Sequence, residues 1–115
     1  MNIIEKYHFG KIIINGDKYS KDLIVFPDEI KEKWWRKEGH SLHMEDLSVL
    51  DENKPEILVI GTGSYGRMTV PDDVIKELNS RGIVVIIKKT SEAVEEYNKL
   101  LKEQKKVAAA LHLTC

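Results

Sequence analysis

The sequence predicts an α/β fold: a single three-layer domain over residues 1–115, with a mixed, mostly parallel sheet, an antiparallel β-hairpin portion near the N-terminus and about three helices. Three observations predict it. The second half alternates apolar runs ("ILVI", "IVVII", "VAAALHL") with helix-patterned segments, which is the order of β-α-β-α-β units with right-handed crossovers. The first half places β-formers around Asn15-Gly16, a strong local hairpin signal. The 115 residues show no internal repeat and no low-complexity linker, and they suffice for one core.

Each element has its own reason. "KIIINGDKYSKDLIVF" (11–26) reads as strand, turn and further strand, because Asn15 and Gly16 both tolerate positive φ, and Pro27 ends the run. "EIKEKWWRKEGH" (29–40) suits a strand or a helix and closes at Gly39. "HMEDLSVLD" (43–51) reads as a short helix with Met44, Leu47 and Leu50 on one side, broken by "KPE". "ILVI" (57–60) is apolar without alternation, as in a strand covered on both faces. "VPDDVIKELNSRG" (70–82) is a well-marked helix. Pro71 suits its first turn, Asp72 and Asp73 complement its positive end, and Gly82 suits its stop. "IVVII" (83–87) reads as a second buried strand. "TSEAVEEYNKLLKEQKK" (90–106) reads as a third helix capped by Thr90 or Ser91, and "VAAALHL" (107–113) as a final strand.

Composition excludes several function classes. Hydrophobic residues make up 42% and charged residues 32%, which fits a folded globular chain rather than a disordered one. A net charge of −1 gives no long-range field toward nucleic acid or an anionic membrane. No apolar run approaches the roughly 18 residues of a spanning helix. "MNIIEKYHFG" carries an acid by residue 5 and lacks the apolar core of a signal peptide, so a cytoplasmic location is expected. The one cysteine, Cys115, cannot form an intrachain disulfide, which fits a reducing compartment.

"ILVIGTGSYGRM" (57–68) raises the question of function, since Gly61, Gly63 and Gly66 match the spacing of a dinucleotide-binding turn. That reading fails on context. The helix starts about five residues after Gly66 instead of within the motif, and the next strand ends in Lys88-Lys89 rather than in an acid. A phosphate loop would need a lysine after Gly66, and a nucleophile elbow would need glycine where Thr62 stands. A looser reading remains: amides of a glycine-rich turn at the carboxyl end of a strand can form a concave anion site. Gly61, Thr62, Gly63, Ser64, Gly66 and Arg67 are the candidate ligand- or anion-binding residues; the alternative is a sharp turn and nothing more.

Other residues carry less chemistry. His40-x-x-His43 and His112-x-x-Cys115 have zinc-like spacing, but residues three apart in a strand point to opposite faces, so no metal is expected. Cys115 reads as an unreactive thiol. No catalytic residue is assigned: Ser64 has no identifiable partner, and the carboxylates mostly occupy helix first turns and solvent-facing positions. "KLLKEQKK" complements a helix dipole and has no aromatic residues to stack on nucleic acid. "WWR" is different. Trp34, Trp35 and Arg36 are the residue types that dominate interface hot spots, and they are the candidate partner-binding residues.

"HFGKIIINGDKYSKDLIV", "WWRKEGHSL", "EILVIGTGSYGRMTVP", the Thr90 to Ala93 helix start and "AAALHLTC" occur in an order and spacing that resemble one family along almost the whole chain: the small Mth-type domain of unknown function. That family includes an adipogenesis-associated Mth domain-containing protein and a mitochondrial complex I assembly factor. The resemblance implies a three-layer α/β fold with a mixed sheet, and it implies that "GTG" (61–63) and Arg67 lie at a shared surface feature. It supplies no catalytic residue and no cofactor. The resulting expectation is a small non-enzymatic binding module of assembly or regulatory type, a monomer or weak homodimer that meets a protein partner, and not nucleic acid or a membrane. The alternative is a small-ligand or anion-binding protein, or an enzyme, using the turn 61–67.

Overall fold

The computed structural model describes residues 1–115 as an α/β domain with two sheets. In chain order its elements are β1 (Ile4–His8), β2 (Lys11–Ile14), β3 (Asp17–Tyr19), β4 (Leu23–Val25), β5 (Ile30–Lys31), a 3-10 helix (Met44–Asp51), β6 (Ile57–Thr62), α1 (Asp72–Ser80), β7 (Val84–Lys88), α2 (Thr90–Lys102) and β8 (Val107–His112). Strands β1, β2 and β3 form an antiparallel sheet in that order. The main sheet runs β5-β4-β8-β6-β7, with β6 parallel to β7 and β8, and β4 antiparallel to β5 and β8.

Strand alternation divides the apolar residues between two cores. Leu23 and Val25 of β4, Val59 of β6, and Val107, Ala109 and Leu111 of β8 face one side. There they meet Ala93, Val94, Tyr97, Leu100 and Leu101 of α2 and Ile4, Ile12 and Ile14 of the small sheet. Ile24, Leu58, Ile60, Ala108 and Ala110 face the other side, against Leu47 and Leu50 of the 3-10 helix and Val74 and Leu78 of α1. These are the three layers. Helix α2 also clasps the N-terminal strand. Asn98 Nδ2 donates to Ile4 O (2.7 Å), Ile4 N–H donates to Asn98 Oδ1 (3.0 Å), and Tyr97 Oη donates to Asn2 O (2.9 Å). Burial, with the charge of Asp28, holds the Tyr97 phenol far above its ordinary pKa.

The Asn15-Gly16 hairpin forms as expected, with φ of +50° and +84°. The short helix expected over 43–51 is present as a 3-10 helix, Met44–Asp51, kinked at Leu47 (φ −109°, ψ 19°). Three expectations are corrected. Residues 11–26 are not one hairpin, because the chain leaves the small sheet after Tyr19 and re-enters the main sheet at Leu23. Strand β7 is not buried: it is the sheet's edge, with Val84 57% and Ile87 41% exposed. The residue preceding α2 is Lys89, with no side-chain cap, because the Thr90 hydroxyl is used elsewhere.

Candidate functional site

The turn 61–67 lies where β6 and β8 end and α2 begins. Gly61 pairs with Lys88 and Leu111, and Thr62 with His112. Its backbone donors bond to the protein's own oxygens. Gly63 N–H donates to Thr90 Oγ1 (2.9 Å), Ser64 N–H to Thr114 O (2.6 Å), Gly66 N–H to Gly63 O (3.2 Å) and Arg67 N–H to Cys115 O (3.2 Å). Residues 114 and 115 therefore occupy the concave side that the glycine spacing suggested. Gly63 holds φ +106°, and a Cβ there would stand 2.7 Å from Cys115 O and 2.8 Å from His112 Cδ2. Glycine is required for both conformation and space. Among the side-chain donors, Thr62 is buried and its hydroxyl donates to Lys88 O (3.2 Å), Ser64 is half-buried, and Arg67 is exposed and makes no ion pair.

A buried polar network, unread in the sequence, lies behind this turn. Thr90 Oγ1 accepts from Gly63 N–H and donates to His112 O (2.6 Å), tying β6, α2 and β8 together. The His112 ring meets Asp22. Its Nδ1 is 2.8 Å from Asp22 Oδ2, Leu113 N–H donates to Asp22 Oδ1 (2.8 Å), and Arg36 Nη1 donates to Asp22 Oδ2 (2.6 Å). Arg36 Nη2 donates to Gly39 O (3.2 Å), and the guanidinium carbon lies 4.8 Å from the Trp34 ring centroid, a cation–π contact. Burial alone would raise the Asp22 pKa, but the hydrogen bonds from His112, Leu113 and Arg36 hold it below the ordinary carboxylate value.

Nδ1 of His112 lies 2.8 Å from Asp22 Oδ2 and 3.0 Å from Arg36 Nη2. Its Nε2 is buried without a partner, as is Arg36 Nε. An Asp–His contact is also the arrangement that orients a general base. The one thiol, Cys115 Sγ, lies 3.9 Å from Nε2 of His40. What the network does is fasten three distant stretches, namely the entry to β4, the 34–39 segment and the end of β8. His43 instead pairs with Glu38 (3.1 Å). No three His, Cys, Asp or Glu side chains are grouped to hold a metal ion.

The three residues of "WWR" have different fates. Trp34 is half-buried, and its indole N–H donates to Asp46 O (2.8 Å). The Arg36 side chain is only 6% exposed and is engaged with Asp22. Trp35 is 76% exposed. The segment is irregular rather than a strand, so this in-and-out arrangement comes from the anchors on either side. Asp46 is a helix-start carboxylate, in the first turn of the 3-10 helix, where it is buried and accepts from Lys37 N–H (3.0 Å) and His43 N–H (2.9 Å). Asp22 is neither at a helix start nor in open solvent. Asp22 and His112 are 90 positions apart, so no local spacing signals their meeting.

The sequence model of a family described as "Protein of unknown function (DUF498/DUF598)" matches residues 4–112. Two curated relatives are each named NADH dehydrogenase [ubiquinone] 1 alpha subcomplex assembly factor 3. The one from Xenopus tropicalis is 34% identical over 110 residues, which is 94% of this chain and 59% of the relative. The one from Danio rerio is 36% identical over 112 residues, which is 95% of this chain and 63% of the relative. The chain thus spans about six tenths of the length of these relatives. The solved structure of MT938 superimposes with a TM-score of 0.81 at 25% identity and covers 100% of both chains.

Proposed function

The chain belongs to the DUF498/DUF598 family of proteins of unknown function, and we propose that within it this domain is a non-enzymatic binding module that meets a protein partner through the surface around Trp35. One observation carries the reading: Trp35 is 76% exposed while Trp34 and Arg36, on either side, are locked by Asp46 and Asp22. An exposed indole on an immobilised backbone loses little conformational entropy on binding, and tryptophan is enriched among residues that dominate interfaces. The naming of the relatives as assembly factors supports the same class of role. No helix is long and apolar enough to cross a membrane.

A second reading keeps the turn 61–67 as a small-anion site. It rests on exposed, unpaired Arg67 and on Lys89, whose side chain lies against Gly66. Side chains would have to supply most of its donors, because the amides of Gly63, Ser64, Gly66 and Arg67 already bond within the chain. The test compares Trp35→Ala with Arg67→Ala. Proteins captured by the tagged chain from its host are purified and their binding reconstituted. A partner that loses affinity at least tenfold with Trp35→Ala and keeps it with Arg67→Ala is the expected outcome. Turnover of a host metabolite abolished by Arg67→Ala would overturn the module reading.

A further inference from the structure

We infer that the open edge of β7 pairs with β7 of a second copy of this chain, antiparallel and centred on Ile86. Strand β7 bonds to β6 only, and each of its residues stays partly or largely exposed. Its polarity is fixed at both ends. Val84 N–H donates to Glu56 O (2.9 Å), and Lys88 O accepts from the Thr62 hydroxyl (3.2 Å). Val84, Ile86 and Lys88 therefore turn their main-chain groups toward β6. Alternation turns the N–H and carbonyl groups of Val85 and Ile87 outward. Native sheets blunt such edges with proline, bulges, inward charges or very short strands. The sheet's other edge, β5, has two residues. Strand β7 has five in unbroken register with β6, none of them proline, and the first four are apolar, with Val84 57% and Ile87 41% exposed.

The edge is its own complement, and its flanks select the register. A ladder here has to join outward residues to outward residues. A two-fold axis through Ile86 does so: Val85 of each copy exchanges both hydrogen bonds with Ile87 of the other, and no outward group is left over. Moving the axis to Val85 sets Ile87 against Ile83 of the second copy, whose N–H already donates to Leu78 O (3.0 Å). Moving it to Ile87 sets Val85 against Lys89, whose carbonyl already accepts from Glu92 N–H (3.0 Å) and Ala93 N–H (2.8 Å). Side chains fit the same register. Ile86 meets Ile86, Ile87 is covered by Val85, and Val84 stands opposite the methylenes of Lys88, so the exposed apolar side chains gain cover and no like charges face each other. One strand pair is narrow beside the roughly 1,200–2,000 Å² of a stable interface, so the association falls in the micromolar to millimolar range. Trp35 lies by β4 and β5 at the opposite edge, so pairing leaves its surface free.

The test is sedimentation equilibrium of the intact chain from micromolar to millimolar concentration, with amide hydrogen exchange on the same samples. The expected result is a mass that rises from one chain toward two, with protection gained at Val85 and Ile87 and not at β5. Register is read from two substitutions at an exposed position. Val84→Lys sets a lysine opposite Lys88 of the second copy, and Val84→Glu sets a carboxylate there. Because two symmetric pairs change sign, the glutamate chain should dimerise about fivefold tighter than the lysine chain, or more. Ile87→Pro removes an outward N–H and leaves the β6 ladder whole, so it should weaken the dimer about tenfold. The Val84 pair keeps the test decisive if the proline chain does not fold. A mass of one chain at every concentration overturns the inference, as does a dimer whose protection lies elsewhere or one that forms equally with lysine and glutamate at position 84. A chain that stays monomeric yet gains protection at Val85 and Ile87 from a strand of another host protein overturns the second copy as the occupant.

Discussion

Asp22 accepts from an arginine, a histidine and a backbone amide, and each partner comes from a different part of the chain. Replacing it by asparagine leaves the Arg36 side chain, 6% exposed, without its counter-charge, and the His112 ring, 7% exposed, without a carboxylate partner. Removing one partner of such a pair is expected to cost about 2–3 kcal/mol at neutral pH, somewhat below a fully buried pair because Asp22 retains slight exposure. The pH dependence has a fixed sign. The folded carboxyl is held below its ordinary pKa, so the unfolded chain binds the proton more tightly. The stability from this carboxylate is complete above the unfolded value of about 3.9, and it is lost as pH falls through the folded value. Urea midpoints of the parent and Asp22→Asn chains should therefore converge in acid; a gap constant from neutral pH to below pH 3 would contradict this. At this scale the sequence was half legible. The glycines announced a turn that only glycine can make, as Gly63 confirms, but not that residues 114 and 115 fill it. "WWR" announced an unusual surface, but nothing local separates an anchored Trp34 from an exposed Trp35, since their partners Asp46 and Asp22 are fixed by the tertiary fold.

Strand β1 was not legible, and its environment explains why. Glu5, Lys6 and His8 are exposed, so the segment lacks an apolar face, and only Ile4 is buried in the core. What fixes its start is Asn98 of α2, whose amide matches both the N–H and the carbonyl of Ile4. Asn98→Ala is expected to destabilise the domain by about 1–3 kcal/mol, because two backbone groups lose their partner in a partly buried setting. Hydrogen exchange is the sensitive readout: the Ile4 amide should lose protection while β6 and β8 keep theirs. Equal loss across the main sheet would mean that β1 and α2 do not open as a separate unit. The 3-10 helix offers the converse lesson. Met44, Leu47 and Leu50 recur at every third residue with no fourth-residue step, which is the period of a 3-10 helix rather than of an α-helix. The information was in the spacing.

The molecule as a whole depends on its last strand. Strand β8 lies between β4 and β6, all six of its residues are buried, and they serve both cores. "IVVII" and "VAAALHL" looked alike in sequence as apolar runs, yet β7 is an edge and β8 the centre, because the order of strands is set by crossovers and not by hydrophobicity. Without β8, β4 keeps only its two-residue partner β5, and the antiparallel and parallel halves of the sheet no longer touch. The apolar side chains of Val107 to Leu111 are worth roughly 5–9 kcal/mol of burial, comparable with the roughly 5–15 kcal/mol of a whole domain's stability. A chain stopped at Lys106 is therefore expected to lack a cooperative unfolding transition and dispersed amide resonances, even though seven of the eight strands and both α-helices remain encoded. Adding a synthetic peptide of residues 107–115 should restore dispersion if the slot between β4 and β6 can form transiently. A truncated chain that unfolds cooperatively by itself would show that β6, β7 and the helices hold a core without β8, and that the domain is not a single unit of stability.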